Sequence, residues 1–306
     1  MHRHNFSYEA TLADAIKVNW QVSDLIGGDK RLDFSKPFLP DSLAGVRGLS
    51  SLSAREKLLL NQIRGYSYLS LFGFVEEFIL PFVLDEARRA TPGGDPHEVR
   101  ALVTFADEEA KHIHLFHRFA QEFRGGFHTP CEVVGPAAEV AKLVLSHSRL
   151  GIALLTLHIE WMTQSHFTES VKDDQNLDPQ FKSLLRHHWM EEAQHAKLDT
   201  LLVEKLAREG GSLAIAKAFE DFAALGAAID GLLQQQVQFD IVALEAAADR
   251  KLSAKEKVEI TAAQARAYRY TFLASGLVHK NFLATCDQLS PGSSERMREM
   301  AGALTA

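Results

Sequence analysis

Apolar residues recur along this chain with the period of an α-helix. Near the start, Leu12, Ile16 and Trp20 are roughly in helical phase, and Gly27-Gly28 follows them. Alternation of apolar and polar residues over more than four positions, which would indicate a strand, is missing. The pattern therefore predicts an all-α protein whose first helix covers residues 8–26.

Cap residues mark the ends of the longer helices. Ser53-x-x-Glu56 is a capping box, and Asp95-Pro96 and Asp178-Pro179 each place an N-cap before a proline at the first helical position. Four long helices joined by short loops, followed by two more, indicate a helix bundle with additions. The predicted helices cover residues 53–89, 95–123, 136–171 and 178–210, then 212–250 and 254–288.

Two of these helices carry the same Glu-x-x-His pair. It stands at Glu109 and His112 in the second long helix, and at Glu192 and His195 in the fourth. The N-caps Asp95 and Asp178 have the same separation in sequence as the two pairs. Residues three apart on a helix share a face, so each pair points one carboxylate and one imidazole in the same direction. The sequence therefore contains an internal repeat, in which each repeat unit is one pair of helices.

The repeat also selects a carboxylate on each preceding helix. The offset that maps Glu109 onto Glu192 also maps Glu77 onto Glu160. Glu77 and Glu160 each lie in an otherwise apolar helical stretch. The choice of Glu77 over its neighbour Glu76 rests on this offset, because adjacent helical positions face about 100° apart.

This set of residue types predicts a dinuclear metal site. One Glu from each of two helices and a Glu-x-x-His pair from each of the other two form the ligand set of ferritin-like dinuclear carboxylate proteins. Four carboxylates in a core repel one another unless cations are present, and two divalent metals balance their charge. The alternative is that each Glu snorkels or pairs with a surface Lys and that each His is structural. The six predicted ligands are Glu77, Glu109, His112, Glu160, Glu192 and His195.

The predicted architecture is one ferritin-like domain over residues 1–306. Its four-helix metal-binding core covers residues 53–208, an N-terminal arm precedes the core, and accessory helices over 212–288 follow it.

One histidine breaks the repeat. His188 lies four residues before Glu192 and seven before His195, so it falls on the ligand face of its helix, whereas the first half has Phe105 at the matching position. We expect His188 to be an additional metal ligand. The alternatives are a hydrogen-bonding role behind the ligands or an extra core histidine.

With His-x-x-x-Glu-x-x-His in its last bundle helix, the chain resembles the di-iron arylamine N-oxygenases, similar to the p-aminobenzoate N-oxygenase and its chloramphenicol-pathway relative. The motifs that carry this resemblance cover about residues 70–200. The resemblance implies two iron ions, O2 as co-substrate, and conversion of an aryl amine to a hydroxylamine or nitro compound. It also implies a homodimer and seven ligands: Glu77, Glu109, His112, Glu160, His188, Glu192 and His195. The oxygen and nitrogen ligands by themselves also suit Mn or a mixed Fe/Mn pair.

Other residues near the predicted ligands receive smaller roles. Glu108 and Glu191 each lie four before a ligand His, and we expect them to hydrogen-bond ligand imidazoles, with a solvated or surface-paired role as the alternative. Five more residues lie about one turn from the ligands and are expected to line the substrate cavity, with ordinary core packing as the alternative: Gly73, Phe74, Phe105, Thr156 and Gln164. Five histidines point away from the ligand faces and are expected at the surface or an interface: His114, His117, His158, His166 and His187.

The leading hypothesis is an O2-dependent di-iron monooxygenase that acts on a small organic substrate and takes electrons from an external donor. One alternative is a di-iron oxidase or desaturase, which uses the same metals. The non-enzymatic alternative is a protein that only binds or stores iron. A storage bundle needs little beyond four helices, whereas this chain adds roughly 100 residues that look suited to closing a pocket or forming a dimer interface.

Composition and charge limit the classes of binding partner. The 306 residues are 46% hydrophobic and 24% charged, with a net charge of −7 and no Lys/Arg cluster, which argues against binding to nucleic acid. Cys131 and Cys286 are the only cysteines, as expected in a reducing compartment. The N-terminus lacks the apolar region of a signal peptide, and no uninterrupted apolar run is long enough to cross a membrane. We expect a cytoplasmic protein without a membrane partner.

Overall fold

The computed structural model describes residues 4–306, and the regular elements in that range are helices. The N-terminal arm contains three short ones: α1 (Tyr8–Ala15), α2 (Val22–Leu25) and α3 (Asp41–Ala44). The single helix expected over 8–26 is therefore wrong. The chain leaves α1 after Ile16, and α2 starts anew because the Asp24 carboxylate accepts a hydrogen bond from Gln21 N at 2.8 Å.

Four long helices form the bundle. Polar caps begin three of them at the predicted positions: Ser53 with Glu56, Asp95 and Asp178 each accept a backbone N–H of the first turn. The helices pack as two pairs, α4 with α5 and α7 with α8, and α4 also packs against α8. Their bounds are Ala54–Ala90 for α4, Pro96–Phe127 for α5, Arg149–Ser165 for α7 and Pro179–Ala248 for α8. The predicted all-α bundle is confirmed.

The third predicted helix, over 136–171, is divided. A short α6 (Ala137–Leu145) ends before Ser148, whose hydroxyl accepts a hydrogen bond from Gly151 N at 3.2 Å and so begins α7. Ser148 is itself held by the Asp221 carboxylate of α8, at 3.0 Å from its backbone N and 2.5 Å from its hydroxyl. A π-helical segment, His166–Val171, follows α7 directly and ends this bundle helix.

Two predicted helix ends are wrong because glycine did not end the helix. The second long helix continues through Gly125-Gly126 to Phe127, and His128 then adopts a left-handed conformation (φ 61°). At Gly211 the backbone turns (φ 66°, ψ −166°), yet the chain resumes as helix at once, so that α8 continues to Ala248. A positive φ suits glycine, which lacks the Cβ that would clash there.

The C-terminal part covers the bundle with further helices. The capping box Ser53-x-x-Glu56 has a counterpart at Ser253 and Glu256, which begins α9. The predicted helix over 254–288 is interrupted, because His279 caps a new one by accepting a hydrogen bond from Asn281 N at 3.3 Å. The elements are α9 (Ala254–Arg269), a π-helical Tyr270–Ala274, α10 (Ser275–Leu277), α11 (Lys280–Leu289) and α12 (Ser293–Thr305).

A buried polar cluster fastens these helices to α4. The Arg64 guanidinium lies 3.2 Å from the ring centroid of Tyr268 in α9, and the Tyr268 hydroxyl donates to Asp240 of α8 at 2.5 Å. Ser67, about one turn after Arg64, also donates to Asp240 at 2.9 Å. Arg64, Tyr268 and Asp240 are all buried, so losing one partner would leave the others unpaired in the core.

Apolar side chains from all parts of the chain form one continuous buried cluster, from Leu12 in the arm to Ala301 in α12. Within residues 4–306, α4 is long and apolar enough to cross a membrane by length and composition. Its most apolar window is 56% buried within the fold, as expected of a core helix in a bundle.

We predict that His166 makes folding stability depend on pH. Its ring nitrogens lie 2.9 Å from the Tyr68 hydroxyl and 3.2 Å from the Ser275 hydroxyl, and His158 and His188 are the nearby titratable groups. Burial lowers the pKa of His166 to about 3, so the folded state keeps it neutral while the unfolded chain protonates near 6.5. Below that pH the unfolded state binds more protons at this residue, so the contribution of His166 to the unfolding free energy should fall by roughly 1.4 kcal/mol per pH unit.

Urea unfolding at several pH values between 7.5 and 5 measures this slope. His166→Gln should flatten it, whereas His114→Gln, at an exposed position of α5, should leave it unchanged. An equal slope in His166→Gln and the parent protein would contradict the assignment.

Candidate metal centre

The two Glu-x-x-His pairs meet in the middle of the bundle, one from α5 and one from α8. Glu109, His112, Glu192 and His195 are all buried, and each offers a ligand atom within 4.8 Å of the others. His195 Nδ1 lies 3.0 Å from Glu109 Oε1 and 2.9 Å from Glu192 Oε2. His112 Nδ1 lies 3.1 Å from Glu192 Oε1. The helical stripes found in the sequence therefore face each other.

A second group of ligand atoms shares two residues with the first. Glu76, His112, His188 and Glu192 again lie within 4.8 Å of one another and are buried. His188 Nε2 is 2.6 Å from Glu192 Oε1 and 3.2 Å from Glu76 Oε1. Each group can hold a metal ion, and Glu192 and His112 belong to both. The extra histidine is thus inside the cluster.

The choice of Glu77 is corrected by the structure, which places Glu76 in the cluster. Glu76 is 2% exposed, whereas the Glu77 side chain is 33% exposed and lies 4.0 Å from His117 Nε2 at the surface. The physical reason is that the chain from Glu76 to its next cap, Asp95, contains one residue more than the chain from Glu160 to Asp178. The repeat offset therefore does not extend to α4, and one residue rotates the side chain by about 100°.

Glu160 approaches the cluster from α7. It is 2% exposed, and burial together with the charge of Glu192 raises its pKa well above the ordinary value. Burial alone would also raise the pKa of Glu192, but His188 and His195 outweigh it and hold that pKa well below the usual range. Two adjacent carboxylates with opposite shifts share a site that cannot hold both negative charges without cations.

The imidazoles respond to the same crowding of charge. Burial would lower the pKa of His112 and of His195, yet the Glu192 and Glu109 carboxylates raise both well above the ordinary value. For His188, burial prevails over Glu192 and lowers the pKa. Protons on His112 and His195 therefore supply positive charge beside the four buried carboxylates. A bound metal ion would supply that charge instead.

The cluster also contains polar atoms that a cation could satisfy. Close N···O distances of 2.6–3.2 Å join its members, but several lack the angles of a hydrogen bond. Donor atoms at right angles around one metal, each about 2.1 Å from it, lie about 3 Å apart, so these distances fit a shared ion. Among the described residues, six buried atoms of the cluster have no hydrogen-bond partner: Glu76 Oε2, Glu109 Oε1 and Oε2, His112 Nδ1, Glu160 Oε2 and Glu192 Oε1.

Glu108 and Glu191 make the expected contacts with imidazoles, and they do so across the two halves. Glu108 Oε2 accepts from His195 Nε2 at 2.8 Å, and Glu191 Oε2 lies 2.9 Å from His112 Nε2. Lys111 Nζ also donates to Glu191. Because each Nε2 faces a carboxylate, each Nδ1 is directed towards the centre of the cluster.

Of the five residues expected to line the substrate cavity, Phe74 lines an apolar cavity between α4 and α7, and the other four do not. A side chain at Gly73 would meet Phe116 of α5, and Phe105 stacks on the His195 ring at 4.0 Å between centroids. The Thr156 hydroxyl donates to Ile152 O at 3.1 Å, and Gln164 Nε2 donates to Trp189 O at 3.2 Å. Phe105 and Gln164 therefore contact α8, and Thr156 contacts its own helix. Helical phase alone does not show which of these contacts a side chain makes.

Two of the histidines expected at the surface or an interface, His158 and His166, are buried inside the fold. His158 is 1% exposed and hydrogen-bonded to Leu273 O at 2.8 Å, and His166 links Tyr68 to Ser275. Sequence reasoning also missed Asp199, one turn after His195, which is fully buried with no hydrogen-bond partner among residues 4–306. Its place on the ligand face, four residues after His195, was the available signal.

Residues 4–238 match the family model described as p-aminobenzoate N-oxygenase AurF. Among solved structures, the chain is similar to a variant R2-like ligand-binding oxidase with an anaerobically reconstituted Mn/Fe cofactor (TM-score 0.48, 14% identity, covering 87% of this chain and 93% of that one). Another variant of that oxidase, with an Fe/Fe cofactor, has a TM-score of 0.46 at 16% identity and covers 88% and 93%. None of the curated protein sequences matches the chain.

We predict that Glu76→Gln weakens metal binding by at least about 100-fold, because it removes an anionic ligand from a buried site. The matched variant Glu77→Gln, one residue along the same helix, should leave metal content unchanged because its side chain faces solvent. Anaerobic loading with Fe(II), followed by measurement of metal per chain, distinguishes them. Loss of metal in Glu77→Gln with retention in Glu76→Gln would reverse the assignment.

Proposed function

Because the chain belongs to the p-aminobenzoate N-oxygenase family and is an oxidoreductase with a di-metal site, we propose that it is an O2-dependent di-iron monooxygenase that oxygenates the nitrogen of a small amine, with arylamines as the leading class. Seven side chains would hold the metals: Glu76, Glu109, His112, Glu160, His188, Glu192 and His195.

The observation that carries this proposal is His188. A six-ligand set is common to many ferritin-like proteins, whereas a third imidazole within 2.6 Å of the shared Glu192 supports a site with the arylamine N-oxygenase pattern. Carboxylate oxygens and imidazole nitrogens suit iron, manganese or a mixed pair, so the ligand types leave the metal open. Iron is proposed because the family resemblance implies it.

Two iron ions in this site would supply the reduction of O2, with one electron from each metal. For a primary amine the reaction RNH2 + O2 + 2e⁻ + 2H⁺ → RNHOH + H2O forms an N–O bond, and an external donor provides the two electrons. Glu108 and Glu191 hold the His195 and His112 rings in place throughout, because each carboxylate accepts from the ring nitrogen that faces away from the centre.

Aromatic rings keep water out of the proposed site. The rings of Phe72 and Phe116 approach His188 edge-on, at 5.5 and 5.0 Å between centroids, and Phe105 stacks on His195. All three are buried. A dry wall would direct the oxidising equivalents that the site supplies to the bound amine and keep them from solvent.

The test is oxygenation with labelled O2. The iron-loaded protein, reduced anaerobically with an arylamine bound, should yield a hydroxylamine that contains one labelled oxygen after exposure to O2, detected by mass spectrometry. Product that forms without label would favour an oxidase or desaturase. Less than about one metal per chain after iron loading, or no reaction with O2, would leave only an iron-binding role or none and would overturn the proposal.

We also predict that His188→Ala lowers turnover by at least about 100-fold and changes the optical spectrum of the oxygen-exposed protein, because one metal loses an imidazole ligand. His187→Ala is the control, since the His187 ring nitrogen Nδ1 lies 2.7 Å from the Ser183 carbonyl of its own helix, away from the cluster. Unchanged metal content and oxygen chemistry in His188→Ala would show that His188 is not a ligand.

The homodimer, the external donor, the cytoplasmic location and the absence of nucleic-acid and membrane partners stay predictions of the sequence. The continuous buried cluster from the arm to α12 supports the proposal that residues 1–306 form a single domain, with 212–288 as accessory helices on the 53–208 core.

A further inference from the structure

An apolar cavity lies beside the metal cluster, between α4 and α7. Four of its lining residues stand just before Glu76 on α4, and three stand around Glu160 on α7, so the cavity follows the two helices that each supply one carboxylate. These residues are Leu71, Phe72, Phe74, Val75, Leu155, Ile159 and Met162.

The cavity runs from the surface towards the cluster and ends at Phe72, one aromatic ring away from it. At its outer end, Val140 of α6 and Ile229 and Leu232 of α8 are half-buried and form a rim. At its inner end, Phe72 is buried, and its ring meets His188 edge-on at 5.5 Å. One aromatic ring therefore separates the cavity from a proposed ligand.

Its size suits a small, slender molecule. The empty volume is about 680 Å³ including the open mouth, and the cavity is narrow along its length. A narrow slot of this kind accepts an alkyl chain or a flat ring edgewise.

The chemistry of the wall is uniform. All 15 lining residues are Leu, Ile, Val, Phe or Met, with no hydroxyl, amide or charged side chain among them. A carboxylate moved from water into such a slot would lose its hydration and gain neither an ion pair nor a hydrogen bond from a side chain. An apolar group would instead leave water for a surface that matches it.

We infer that this cavity is the substrate-binding site and that it selects an amine with an uncharged, apolar body, in place of an amine that carries a carboxylate. The inference rests on the proposed N-oxygenation and names its substrate class. The amine end reaches the metals past Phe72, and the apolar body lies between α4 and α7 with its far end at the rim.

The experiment compares 4-butylaniline with 4-aminobenzoate on the iron-loaded protein, since the two share the reacting arylamine and differ in the group opposite it. Calorimetric titration under anaerobic conditions measures binding, and product formation after O2 exposure measures kcat/KM. We expect 4-butylaniline to bind and to react with a kcat/KM at least about 100-fold higher. Equal or better binding and turnover of 4-aminobenzoate would overturn the inference while leaving N-oxygenation intact.

The two proposals fail differently. Binding of 4-butylaniline without oxygenation, by a protein that does consume O2 at its metals, would refute N-oxygenation and retain the apolar cavity. Absence of 4-butylaniline binding by the metal-loaded, folded protein would refute the cavity.

Charge placed at the rim tests the location. Leu232→Arg should lower kcat/KM and affinity for 4-butylaniline by about 10-fold or more and improve 4-aminobenzoate, because a cation then faces the end of the slot. Val242→Arg adds the same charge to α8 at a position that is 65% exposed and outside the cavity, and it should change neither substrate. Ile229→Arg, at the same rim, serves if Leu232→Arg fails to fold. No difference between rim and control variants would place the substrate elsewhere.

Discussion

The mutual repulsion of four buried carboxylates is the constraint on which the rest of this structure depends. Glu76, Glu109, Glu160 and Glu192 occupy the centre of the bundle with at most 2% exposure, where an uncompensated negative charge is very costly. The carboxylates raise the pKa values of His112 and His195 between them, so these two imidazoles take up protons where metal ions would otherwise balance the charge. The direction of every pKa shift at the centre follows from this competition between burial and neighbouring charge.

The surroundings of the cluster are arranged to tolerate that charge. Glu108 and Glu191 engage the outer nitrogens of His195 and His112, and each comes from the helix opposite the imidazole it meets. This exchange ties α5 to α8 at the level of the site, so the geometry of one half depends on the other. Beyond that layer, phenylalanine rings and aliphatic side chains exclude water on the side of α4 and α7.

The helices after the bundle explain why the chain is longer than a four-helix protein needs to be. Gly211 redirects α8 so that its second half lies along α4, where Asp240 joins Arg64 and Tyr268 in a buried polar cluster. Ile229 and Leu232 on the same segment form the rim of the apolar cavity. These residues thus form one wall of the apolar cavity, which the bundle would leave open without the second half of α8.

The sequence by itself determined the helical class, the cap residues that begin the long helices, the doubled Glu-x-x-His motif and the place of His188, because these depend on local hydrogen bonding and on the 3.6-residue period. Tertiary structure decided what periodicity leaves open. Glu76 replaced Glu77 because one additional residue before the next cap breaks the repeat, and the length of a connection has no periodic signal. Thr156 and Gln164 turned out to be hydrogen-bonded to backbone, and His158 and His166 to be buried, because each position depends on elements distant in the chain or on a choice among local acceptors. The apolar cavity could not be predicted from the sequence either, because it forms only when helices from distant parts of the chain pack together.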